Sequence, residues 1–93
     1  MSQWAFLSHH GHVLLAISED PDITIDKLAG VVGVTTRSIV NILRDLEQGG
    51  YVRKEKAGRK NHYELSLESQ LRHQTSSHRT VGELVTAIGR VGN

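Results

Sequence analysis

Apolar residues in the first half of the chain recur at three- and four-residue spacing, the mark of helices that bury one face. Val13, Leu14 and Ile17 fit a first helix from a Ser8 cap to about Ser18. The acidic turn Glu19-Asp20-Pro21-Asp22 ends it. Ile23 to Ile25 alternates apolar and polar residues and reads as a short link with one extended pair. A second helix then starts at Thr24 or Ile25 and carries Leu28, Ala29, Val31 and Val32. Asp26 sits in its first turn, where the helix dipole favours a negative charge. Gly33 stops it, because glycine takes the left-handed conformation needed just past a helix end. Thr35 or Thr36 caps a third helix, whose Ile39, Ile42, Leu43 and Leu46 form one stripe, and Gly49-Gly50 ends it.

Beyond Gly50 the period changes from helical to alternating. Tyr51 to Lys56 and His62 to Leu67 read as two strands, with Tyr63, Leu65 and Leu67 on one side and Glu64 and Ser66 on the other. Ala57 to Asn61 is the expected hairpin tip. Residues 68–80 are polar and read as irregular. A last helix from about Thr80 to Ile88 aligns Val81, Leu84, Val85 and Ile88, and the final residues read as frayed. The expected fold is mainly α with a small β-hairpin.

Within this pattern the segment Ile25 to Arg44 meets a specific geometric demand. Two helices joined steeply by a very short turn need a small residue at their crossing, a glycine to open the turn and an apolar residue to pin it to the core. Ala29, Gly33 and Val34 supply these in order, and Ile39 and Ile42 return the second helix to the core. The third helix then faces outward with Thr35, Thr36, Arg37, Ser38, Asn41, Arg44 and Asp45.

Length and composition narrow the setting. The chain has 93 residues, which suits one domain over 1–93 and a limited core, so association between copies is expected. It contains no cysteine, which excludes disulfides, thiolate chemistry and sulfur-ligated zinc. No stretch approaches the roughly 20 apolar residues of a membrane span. The run Trp4-Ala5-Phe6-Leu7 is too short for a signal-peptide core and has no base before it. The reading is a cytoplasmic, soluble chain.

The net charge of +1 hides an uneven distribution. Four acids and no lysine or arginine lie between Glu19 and Asp26. Seven bases (Arg37, Arg44, Arg53, Lys54, Lys56, Arg59, Lys60) face three acids (Asp45, Glu47, Glu55) between Arg37 and Lys60. Positive charge gathered in one stretch is a candidate face for an anionic partner.

The passage Leu46-Glu47-Gln48-Gly49-Gly50-Tyr51-Val52, leading into the basic hairpin Lys56 to Lys60, resembles the winged helix-turn-helix regulators of the MarR and ArsR type. The resemblance covers about residues 8–67, leaving 1–7 and 68–93 as flanking segments and candidate dimer contacts. It implies sequence-specific binding of double-stranded DNA by a transcriptional regulator, as a homodimer. Helix 35–48 would enter the major groove, and wing 56–61 would touch the backbone or a minor groove. Thr36, Arg37, Ser38 and Asn41 are the candidates for reading base edges, because arginine bridges two acceptors on guanine and asparagine does the same on adenine. Thr35 and Arg44 complete that face. On the wing Arg59 is the leading contact, with Lys56, Lys60 and Asn61 beside it, and Gly58 permits a tight tip.

Two other readings stay open. One is a winged-helix module that binds protein, which requires an apolar patch on the third helix. The other is a metal- or ligand-responsive regulator. His9, His10 and His12 cluster early and His73 and His78 lie late, but no cysteine or acidic ligand accompanies the first group. No metal site and no cofactor are therefore assigned, and no effector is named. No nucleophile–base order, phosphate-binding glycine loop or zinc-protease helix is present, so the chain does not read as an enzyme.

Overall fold

A computed structural model describes residues 7–58, 60–72 and 77–89. Four helices and one hairpin follow in the order α1 (His9–Glu19), α2 (Ile25–Val32), α3 (Thr36–Gln48), β1 (Val52–Ala57), β2 (Lys60–Leu65) and α4 (Val81–Gly89). The first three helices each begin at a side-chain cap. Ser8 accepts from the Gly11 N–H, Thr24 from Lys27 and Thr35 from Ser38. Each hydroxyl satisfies one of the backbone donors that the first helical turn leaves unpaired.

The turn between α2 and α3 has the form its sequence predicts. Gly33 adopts φ +84°, and both the Gly33 and Val34 N–H groups donate to the Ala29 carbonyl, at 2.8 and 3.1 Å. Val34 and Ala29 pack against the core beside this turn. The end of α3 is a Schellman motif: Gly50 at φ +80° donates to Glu47, and Tyr51 donates to Leu46. This turn aims the chain straight from α3 into β1.

One core joins these elements. Val13, Leu14 and Ile17 of α1 meet Leu28 of α2, the Ile39, Ile42, Leu43 and Leu46 stripe of α3, and Val52 and Tyr63 of the hairpin. Ile17, Leu28 and Ile39 are fully buried. Full burial of such a side chain contributes about 1.5–3 kcal/mol each. The hydrophobic stripe of α3 is therefore committed inward, which leaves its other face to solvent.

The hairpin departs from the sequence reading in its boundaries. Register pairs Val52 with Leu65, Lys54 with Tyr63, Lys56 with Asn61 and Ala57 with Lys60. Only Gly58 and Arg59 lie between the strands, instead of the expected five residues, Ala57 to Asn61. Two-residue hairpin loops need a positive φ early in the turn, and Gly58 provides +66°. Strand pairing can then run to the tip, so β2 starts at Lys60 rather than His62. It also ends sooner than expected. Ser66 donates to the Tyr51 carbonyl, the chain turns, and Leu67 is 52 % exposed. Leu67 thus leaves the apolar row of Tyr63 and Leu65.

No strand forms over Ile23 to Ile25. A single backbone bond, from the Tyr63 N–H to the Pro21 carbonyl at 2.8 Å, joins β2 to the loop between α1 and α2. Proline has no N–H to return, so no ladder can grow there.

Helix α4 begins with a capping box. Thr80 and Glu83 exchange backbone-to-side-chain bonds of 3.2 Å in both directions. Arg79 also holds the Glu83 carboxylate, at 2.7 Å, and these contacts keep its pKa below the ordinary carboxylate value. Val81 is fully buried and α4 packs on α1, while Leu84 and Val85 are only half-buried. Among the described residues no helix is long and apolar enough to cross a membrane. Residues 1–6, which include Trp4 and Phe6, lie outside the described residues.

Candidate nucleic-acid interface

The outward face of α3 follows directly from its inward one. With Ile39, Ile42, Leu43 and Leu46 buried, Thr36, Arg37, Val40, Asn41 and Arg44 are left exposed. Arg37, Val40, Asn41 and Arg44 stand three and four residues apart, so they form one line along the helix. Among the described residues neither arginine has a carboxylate partner. Among the described residues neither guanidinium group has a side-chain hydrogen-bond acceptor, so their donors are available.

Thr35 and Ser38 are differently employed. The Thr35 hydroxyl donates to the Ser38 hydroxyl at 3.0 Å and accepts from the Ser38 N–H at 3.1 Å. The pair closes the first turn of α3 and sits at its exposed start. Asp45 turns away from the line. Its carboxylate lies 2.9 Å from the Nε2 atom of His10 and ties α3 back to α1.

Strand alternation and register sort the hairpin charges onto two faces. Lys54 and Lys56 share a face with Val52, Tyr63 and Asn61. Lys60 shares the other with Arg53, Glu55, His62 and Glu64. Arg53 is neutralised by Glu64 and by Glu55 at 3.3 Å, and its pKa is raised by the hydrogen bond to Glu64. Lys54, Lys56 and Lys60 are exposed and, among the described residues, have no ion-pair partner. Asn61 is half-buried beside Tyr63, whose phenol pKa is raised by burial. Lys60 and Asn61 therefore belong to a strand and not to the tip expected from the sequence. They line a groove of about 230 Å³ with Thr24, Ile25 and Asp26, which sets the hairpin beside the start of α2. Arg59 lies outside the described residues.

Of the residues singled out from sequence, the structure thus brings Thr36, Arg37, Asn41 and Arg44 onto one exposed face. Thr35 and Ser38 stand at the head of that helix, and Lys56, Lys60 and Asn61 near the end of the hairpin. Lys54, counted among the seven bases, lies on the face of Lys56, and Val40, not singled out from sequence, stands on the exposed face of α3. For Val40 the signal was its place three residues after Arg37 and four before Arg44, which an apolar residue obscures. No group of three histidine, cysteine or acidic side chains is arranged to hold a metal among the described residues.

Helices α2 and α3 joined by a three-residue turn, with a hairpin directly after α3, define a winged helix-turn-helix. The chain belongs to the MarR family, whose sequence pattern it matches over residues 8–58, more than half of its length. Among solved structures it is similar to MepR, a transcription regulator of the Staphylococcus aureus multidrug efflux pump MepA. That likeness has a TM-score of 0.57 and 20% identity, and covers 96% of this chain and 59% of MepR. A mutant S. aureus MepR bound to an oligodeoxyribonucleotide gives a TM-score of 0.58 at 19% identity, covering 91% of this chain and 56% of that one. The chain thus spans less than two thirds of the length of these structures. No curated protein sequence matches it.

Proposed function

We propose that this chain binds double-stranded DNA in a sequence-specific way and acts as a transcriptional regulator rather than an enzyme. In this reading α3 enters the major groove and the hairpin lies on the backbone or in a neighbouring minor groove. One observation carries it: the exposed line of α3 presents Arg37, Asn41 and Arg44 with no partner for either arginine among the described residues. Charge-bearing donors on a helix whose other face is fixed in a core suit the major groove, which admits one helix.

Membership of the MarR family supports the same reading, as does the likeness to a protein whose structure was solved on an oligodeoxyribonucleotide. Thr36, Arg37 and Asn41 would meet base edges, with Arg44 at the far end of the line. Thr35 and Ser38 would face the backbone at the head of the helix. Lys56, Arg59 and Lys60 would hold phosphates, with Asn61 beside them.

We further propose that two copies act together in the cytoplasm, on an inverted repeat. The 8–67 core would bind DNA, and the flanking segments 1–7 and 68–93 would supply the contact between copies. The half-buried state of Leu84 and Val85 on α4 supports this placement. A two-fold dimer sets two recognition helices about one DNA turn, or a multiple, apart.

Selection of bound duplexes from a random pool tests both ideas. A palindromic consensus is expected, with affinity that falls steeply as salt rises. A pool that stays unenriched would overturn the reading and favour a protein-binding module. An enriched but asymmetric single site would overturn the dimer alone.

A further inference from the structure

Val40 is out of place on the outward face of α3. It is 41 % exposed, although the four other aliphatic residues of that helix, Ile39, Ile42, Leu43 and Leu46, are all buried. Nothing in the core needs it. The helix itself does not favour it either, since a β-branched residue at an exposed helical position is a poorer helix former than alanine, lysine or glutamine. A lone exposed aliphatic residue elsewhere on a protein is ordinary. This one stands in line between Arg37, one turn before it, and Arg44, one turn after it, with Asn41 adjacent.

We propose that Val40 reads the 5-methyl group of a thymine. The inference rests on the DNA-binding reading of α3 and adds to it one base and one contact. Thymine is the only base that presents a methyl group in the major groove, and apolar side chains recognise it by contact. The two Val40 methyls offer that surface within a row of polar groups that recognise other edges. The recognised sequence accordingly contains a thymine within the stretch bracketed by the bases under Arg37 and Arg44.

The test uses the consensus duplex recovered from the random pool. Each thymine in turn is replaced by deoxyuridine, which lacks only the methyl group. Wild-type protein is expected to lose about fourfold in affinity at one thymine of each recognised copy. That factor corresponds to about 0.8 kcal/mol for one buried methyl-sized group. Val40→Ala keeps the helix, alanine being the better helix former. It is expected to lose most of the preference for thymine over deoxyuridine at that position, while responding as wild type elsewhere.

If Val40→Ala discriminates thymine from deoxyuridine as wild type does, the proposal is overturned and the DNA-binding reading stands. It is overturned in the same way if no thymine responds in wild type. A pool without enrichment removes both together.

Discussion

The Nδ1 atom of His62 lies 2.8 Å from the Oδ1 atom of Asp22, which ties strand β2 to the loop between α1 and α2. The hydrogen bond to Asp22 raises the His62 pKa, and Glu64 and Glu55 on the same hairpin face add to the shift. Burial of the ring opposes them, by less than the hydrogen bond to Asp22 raises it. A raised folded pKa means that the pair's stabilisation is complete below the ordinary histidine value of about 6.5. It is lost as pH rises through the higher, folded value. The His62 ring signal in an NMR titration should therefore shift above the position of an unpaired histidine. Asp22→Asn should bring it back down and remove that part of the pH dependence of thermal stability. An unmoved His62 titration in Asp22→Asn would show that the pair does not set it.

Two glycines three residues apart should respond oppositely to alanine. Gly33 is held at φ +84°, where a side chain is strained even though open space surrounds its position. Gly33→Ala should cost about 1–2 kcal/mol, and Gly33→Asn less, since asparagine tolerates the left-handed region. Gly30 lies inside α2 with ordinary backbone and nothing within 4 Å of an added Cβ. Gly30→Ala should stabilise the protein by about 0.5–1 kcal/mol. Urea denaturation of the two variants decides the point. Equal signs would mean that the turn is not fixed by its backbone.

Why the first three helices were legible and the hairpin only partly so has a physical basis. Helix limits are written locally, in Ser8, Thr24 and Thr35 as caps and in Gly33 and Gly49-Gly50 as stops, and the structure uses each of them. Hairpin limits depend on pairing between strands. The polar pair Lys60 and Asn61 looks like a loop, yet a two-residue turn at Gly58 carries both into the ladder. Leu67 kept the alternation but not the strand: Tyr51 spends its N–H on Leu46, so pairing closes at the Ser66-to-Tyr51 bond, and Ser69 donates back to Ser66 as the chain turns. In the candidate site the polar members of α3 stood out by type. Val40 did not, since an aliphatic residue on a helix is first counted toward a core. Asp45 gave no sign in sequence that it would pair with a histidine 35 residues away.

Thr35 separates folding from binding. Its hydroxyl caps α3, so Thr35→Ala should cost about 1 kcal/mol of stability. Serine or aspartate at this position keeps a capping oxygen, and both should recover most of the loss. Their effects on DNA should diverge. Thr35→Ser should bind nearly as wild type, whereas Thr35→Asp adds a negative charge at the end of α3 that would face phosphates. Denaturation midpoints and duplex titrations on the same three variants make the comparison. Wild-type DNA affinity in Thr35→Asp would show that this end of α3 is turned away from DNA.

Asn41 and Arg59 should fail in different ways if, as proposed, the one reads bases and the other holds phosphate. Loss of a base-edge contact costs about 1–3 kcal/mol on the preferred sequence and little on others. Asn41→Ala should therefore flatten the selected consensus at particular positions while leaving the salt dependence as it was. Loss of a phosphate contact weakens all sequences alike and lowers the slope of log K against log salt by about 1. Arg59→Ala should show that uniform loss, and the consensus should keep its shape. Affinities measured on a consensus and a scrambled duplex across a salt series separate the two patterns. If Arg59→Ala instead changed preference at one position and kept the slope, the hairpin would be reading bases in a groove and not holding the backbone.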